Sequence, residues 1–155
     1  MVSPSPDPCE RVNLVSPSRP SDPDDWLRKL SPDQWIRAAL GELARAEKAY
    51  AERNVRAAVA GCKRAAGMAL NAALSIEARE GWGRTYVEHL VGLAKDETAP
   101  DAVRKASAIV ASAEASARDV VLLRTPSSDA KVMEAARDVI AHAYAVVRRH
   151  DADPK

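Results

Sequence analysis

Apolar residues recur at steps of three or four along most of the chain beyond residue 31. Ile36, Leu40, Leu43, Ala46 and Tyr50 form a first stripe, and that period places all five on one side of a helix. A start signal precedes them: Ser31 as N-cap, Pro32 at the first helical position and Gln34 closing a capping box. Asn54 offers the cap of a second helix, on which Val55, Val59, Cys62, Ala66, Ala69, Ala73 and Ile76 keep the same rhythm. Both stripes are narrow seams, and the alanines of the second allow close helix approach. Glu80-Gly81-Trp82-Gly83 breaks the pattern, with Trp82 read as a plug at a bundle end. Thr85 and Glu88 make a second capping box, and Val87, Leu90, Val91 and Ala94 are the predicted core face of a shorter third helix. Thr98-Ala99-Pro100-Asp101 opens a fourth, whose stripe of Val103, Ala106, Val110, Ala113 and Ala117 runs to about Val121-Leu122-Leu123. After the turn Thr125-Pro126-Ser127-Ser128, a last helix carries Val132, Ala136, Val139, Ala143 and Val146 to about Arg149.

Helices joined by short connections favour antiparallel neighbours, so the pattern predicts an all-α, antiparallel up-and-down bundle of about five helices. No repeat of solenoid length is present. Ahead of the bundle (residues 23–150), residues 1–22 carry Pro4, Pro6, Pro8, Pro17 and Pro20 among serines and aspartates. Such a stretch has too few donors and too little apolar surface to order itself, and reads as a disordered tail. Its one apolar element, Val12-Asn13-Leu14-Val15, is either solvated or a short docking peptide. Trp26, Leu27 and Leu30 form an apolar turn expected to pack on the bundle as a lid, and residues 151–155 are expected to fray.

Composition narrows the chemistry. The chain has 155 residues, no phenylalanine and 4% aromatics, with alanine heavily used, which suits helices and not strands. Its 23 basic and 22 acidic residues nearly cancel, which weighs against a DNA-coating role. Cys9 and Cys62 stand far apart. Cys62 lies on an apolar stripe and reads as a small buried hydrophobe. Without Cys-x-x-Cys or His-x-x-x-His spacing, no metal is implied, and no cofactor is expected. With no apolar leader and no bilayer-length apolar run, the expected setting is cytoplasmic and away from membranes.

The second helix carries Cys62-Lys63-Arg64-Ala65-Ala66-Gly67-Met68-Ala69-Leu70-Asn71-Ala72-Ala73-Leu74, which resembles the signature helix of the HEPN family, approximately H-Q-A-A-E-K-A-L-K-A-L-L. Ala46-Glu47-Lys48-Ala49-Tyr50 before it, and Tyr86-Val87-Glu88-His89-Leu90-Val91-Gly92-Leu93 after it, also fit. The likeness covers roughly residues 31–149. Gly67, Met68 and Asn71 stand where the family keeps Glu and Lys, which puts in doubt any ligand contact made by those charges in relatives. The resemblance implies a helical bundle that commonly dimerises, serving either as a non-catalytic module for nucleotides or partner proteins, or as a metal-independent ribonuclease toxin paired with a nucleotidyltransferase antitoxin.

The ribonuclease branch uses Arg-x(4–6)-His, and Arg137-Asp138-Val139-Ile140-Ala141-His142-Ala143-Tyr144 is similar to its R-x4-H-x-Y form. By that likeness Arg137 would hold the scissile phosphate, His142 would move protons, and Asp138 and Tyr144 would be regulatory, Tyr144 as the residue that receives nucleotide. The residue types suit the chemistry. Histidine titrates near neutral pH, and a guanidinium binds phosphate oxygens in a bidentate way. A solvated helix face is the plainer reading of the same residues, because an Arg-x(4–6)-His match arises readily by chance in a chain this rich in arginine. With the seam turned to the core, Arg137 and Tyr144 fall together on the opposite side and His142 on the boundary. A second match, Arg84 with His89, reads as surface, because Thr85 and Glu88 are explained by capping. Two functions therefore stay open. One is a dimeric interaction module that binds a partner protein or nucleotide. The other is a ribonuclease toxin of a toxin–antitoxin or defence system acting on RNA.

Overall fold

In the computed structural model, residues 29–114 and 126–152 are described. They form five helices: α1 (Pro32–Ala51), α2 (Val55–Ile76), α3 (Tyr86–Ala94), α4 (Asp101–Ser112) and α5 (Pro126–Ala152). The chain is thus an all-α bundle. No described helix is long and apolar enough to cross a membrane.

The caps lie where the sequence sets them. Ser31 Oγ accepts from the Gln34 N–H, and the Gln34 side chain accepts from the Ser31 N–H at 2.8 Å. Asn54 accepts from Ala57 N–H. Thr85 and Glu88 repeat the reciprocal pair, with the Glu88 carboxylate accepting from the N–H groups of both Arg84 and Thr85. Each arrangement satisfies amide donors that a helix start leaves open. The fourth helix departs from this. Pro100 takes the cap position without a side-chain bond, and Thr98 turns both its N–H and its hydroxyl to Asp96.

Alpha-helix α2 is the axis of the bundle. It packs most extensively on α1, then on α5 and α3. The sequence predicts a narrow seam here, yet burial runs round most of its circumference and includes Ala58, Ala65, Leu70, Asn71 and Leu74 beside the expected stripe. Small side chains make this possible. A Cβ at Gly61 would touch Ala46 Cβ at 3.0 Å, so α1 and α2 cross nearly backbone to backbone. The Glu42 carboxylate takes both Arg64 and Arg45 across and along this antiparallel pair.

Helix α5 runs in the same sense as α2: Cys62 Sγ lies 3.5 Å from Met133 Sδ, and His142 and Val146 face Leu70, Ala73 and Leu74 further on. It is antiparallel to α1, with Arg137 bonded to Glu47 and Tyr144 lying beside Leu40 and Ile36. Cys62 is wholly enclosed, and burial pushes its thiol up to about 11, so it is an inert core residue as expected.

Three expectations are corrected. Leu40, placed in the first core stripe, is 51% exposed. On α3, Val87 and Val91 face outward, while His89, Leu90 and Leu93 are buried. Both stripes keep a helical period on a two-turn helix, and the wall formed by α2 and α4 selects the second. Helix α4 ends at Ser112, before the predicted stop, and α5 continues past Arg149 to Ala152. Ala117, Val121-Leu122-Leu123, Trp26, Leu27 and the Val12–Val15 stretch lie outside the described residues. Leu30 is described and packs against the core.

Candidate functional site

Two concave regions contain the residues singled out by the sequence. The first is an open groove of about 450 Å³ between α1 and α5, lined by Ile36, Leu40, Leu43, Arg137, Ile140, Ala141 and Tyr144. Its walls are mainly apolar, and Tyr144 is 45% exposed beside the exposed Leu40. The neighbouring outward positions Gly41, Ala44 and Ala145 are small and exposed. Solvent faces of helices ordinarily carry long charged side chains; here a strip of Leu, Tyr, Gly and Ala stands in their place.

The second region lies at the far end of α2. A small cavity is enclosed by Leu70, Ala73, Leu74, Glu77, Arg79, Trp82, Asp96, His142 and Val146, and an open polar hollow adjoins it across Arg79, Trp82 and Asp96. His89, fully buried, lies 3.0 Å through Nδ1 from the Trp82 carbonyl. With a carbonyl as partner, Nδ1 carries the proton. The Trp82 ring covers Gly92, where any Cβ would fall 2.6 Å from Cγ and Cδ1 of the indole. Gly81 and Gly83 take left-handed φ of 82° and 68° in the turn between. Trp82 is therefore a plug at the bundle end, as the sequence suggests.

Helix geometry separates Arg137 from His142. Five residues turn the helix by roughly 140°, whereas the seven between Arg137 and Tyr144 bring them back to one side. Accordingly Arg137 and Tyr144 share the α1/α5 groove, while His142 points into the cavity at the end of α2. Arg137 donates to Glu47 at 3.2 Å, and Asp138 is exposed beside it. His142 is half-buried, as its boundary position implies. Burial and the Arg149 charge depress its pKa, while Asp96 and Glu77 work in the opposite direction. Asp96 in turn is held below the usual carboxylate range by its bonds from Thr98 and by Arg79 and His142, against the effect of burial.

Arg84 is exposed, as expected, but its companion His89 is not: the surface assignment of His89 is overturned by its enclosure under the Trp82 turn. The three positions where the HEPN signature has charges are interior as well. Gly67 and Asn71 are buried, Met68 partly so, and Asn71 has neither side-chain oxygen nor nitrogen bonded. Charged groups there would be enclosed, which is a physical reason for their absence. Among the described residues no three metal-ligating side chains converge.

Periodicity alone does not reveal the groove. Leu40 satisfies a core period, so only the small outward residues Gly41, Ala44, Ala141 and Ala145 could have signalled it. No protein-family profile, curated protein or solved structure matches this chain.

Proposed function

We propose that the protein is a HEPN-like, non-catalytic interaction module that docks another protein chain on the apolar face between α1 and α5, a second copy of itself being one such chain. The exposed pairing of Leu40 with Tyr144 across the groove carries this proposal. Buried at an interface, two such side chains supply the kind of central anchor on which association energy concentrates. The divergence of Arg137 and His142 supports a role without catalysis, since within one chain they serve different surfaces.

A photo-crosslinking residue in place of Ala145, at the edge of the groove, tests it in cells making the full chain. A defined crosslinked species is expected, and Leu40→Glu should remove it while leaving the helical circular dichroism unchanged. Crosslinks that survive Leu40→Glu would place the contact elsewhere.

The second function rests on Arg137 and Tyr144 sharing one groove; it requires two copies to meet so that His142, which faces the cavity at the end of α2, joins that groove. Purified protein in chelator, incubated with RNA, is expected to leave it intact. Cleavage that disappears in both His142→Ala and Arg137→Ala would reverse the assignment to a metal-independent nuclease.

A further inference from the structure

We infer that residues 79–96, helix α3 with the turn ahead of it, swing out from α2 as one flap hinged at its two ends. The movement uncovers the face of α2 from Gly67 to Leu74 while the other helices stay assembled.

The case begins at Asn71. It is 1% exposed, and among the described residues neither its side-chain oxygen nor its nitrogen has a hydrogen-bond partner. Enclosed amides are ordinarily satisfied, and an unpaired one disfavours the state that encloses it. Helix register identifies the cover. Tyr86 sits against Gly67 at the start of α3, and Asp96, just past its end, lies beside Leu74 and Glu77. Helices α2 and α3 therefore run in the same sense, and their equal rise puts Leu90 alongside Asn71. On α2, Gly67, Leu70, Asn71 and Leu74 follow the i, i+3, i+4, i+7 spacing of a single face. Separating α3 from that face returns the Asn71 amide to water.

The connections of α3 suit such a movement. Arg79 reaches Asp96 at 4.0 Å, so the segment leaves and rejoins the bundle at one place, as a compact surface loop does. Between those ends many of its contacts are internal. Thr85 and Glu88 cap α3, His89 meets the Trp82 carbonyl, and the Trp82 ring covers Gly92. The turn and the helix thus move together. Toward the rest of the bundle, Ser107 Oγ of α4 donates to the Leu90 carbonyl at 2.6 Å. Helix α4 also packs directly on α5, so the frame persists when α3 leaves. The uncovered surface is an apolar strip of Leu70 and Leu74 with the Asn71 amide at its centre, which the closed molecule does not present.

Amide hydrogen exchange on the full chain, read residue by residue across low urea concentrations, tests this. Leu90, Val91, Gly92 and Leu93 should exchange about tenfold faster, or more, than the core amides of α2 and α5, with a shallower urea dependence, because opening exposes only part of the bundle. Asn71→Leu keeps the branching of the side chain but removes its polar atoms, and should slow α3 relative to α5 about tenfold. Asn71→Asp encloses a charge and should speed it. Ser107→Ala, which removes the bond from α4, should speed it as well. Taking each rate relative to α5 in the same protein separates flap motion from a change in overall stability. Exchange of α3 in step with α2 and α5 overturns the inference, because the helix then leaves only when the whole bundle unfolds. So does a ratio that is the same in Asn71→Leu and Asn71→Asp, since α3 would then not be what holds Asn71 from water. A response confined to α1 overturns it too, by making α1 the cover.

Discussion

Gly67→Ala is expected to destabilise the protein by about 2 kcal/mol, even though alanine is the better helix former. Gly67 sits on α2 where Tyr86, the first residue of α3, presses on the helix backbone. A Cβ there would lie 2.5 Å from Cγ and Cδ1 of the Tyr86 ring and closer still to Tyr86 Cβ. A ring can rotate, but a Cβ moves only with its backbone, so α3 must shift as a unit. Forcing one extra carbon into a packed contact costs about 1–3 kcal/mol and sometimes more, against a helix-propensity gain of about 1 kcal/mol. The displaced helix also carries His89, Leu90 and Leu93, all fully buried, which argues for the upper part of that range. In thermal unfolding the net loss amounts to a fall of roughly 5 °C or more, at about 2–4 °C per kcal/mol for a domain of this size. Gly41→Ala is the matched control. Its Cβ meets nothing within 4 Å and its position is exposed, so that change should stabilise by about 0.5–1 kcal/mol. Opposite signs are the result to look for, and equal gains at both sites would show that α3 does not rest on Gly67.

That contact also shows where sequence periodicity stops. Helix starts were legible because their chemistry is local: Ser31 with Gln34, Asn54, and Thr85 with Glu88 each act within four residues. The core of α5 was legible for a related reason. Val139, Ala143 and Val146 extend over a long helix, so one face is strongly favoured, and all three are buried. On α3, nine residues allow two stripes, and only the neighbouring helices choose between them. For α2 the sequence showed alanines on a seam, but not that alanine and glycine elsewhere on the circumference would let four other helices close around it. The divergence of Arg137 and His142 could be deduced from 100° per residue. What each would face could not, because Glu47, Asp96 and Arg79 come from helices and turns far away in the chain. Leu40 is the instructive case. It keeps the core period, yet faces a groove that α1 and α5 leave open.

The second large effect is expected at His89. His89→Ala should cost about 3 kcal/mol, since it empties a fully enclosed site and strips the Trp82 carbonyl of its partner. The same contact makes folding sensitive to mild acid. Burial depresses the pKa of His89 below 6.5, outweighing the opposing effects of the Trp82 carbonyl and the Glu88 charge. The folded state thus binds a proton less readily than the unfolded chain, whose histidine titrates normally. Stability from this group is complete above pH 6.5 and is lost as pH falls through the folded-state value. His142 is shifted in the same direction and adds to the decline. Glu88 and Asp96 also have lowered values, from 4.5 and 3.8 respectively, so their contribution is lost only in a further, more acidic step. Urea midpoints measured from pH 7.5 to 3 should therefore begin to fall below pH 6.5, before the carboxylates titrate. His89→Asn keeps an amide donor near the Nδ1 position without a titrating ring, and should reduce the first decline to the share of His142 while leaving the acidic one in place. If the two proteins decline in parallel between pH 6.5 and 5, His89 is not the group whose proton uptake weakens the fold in that range.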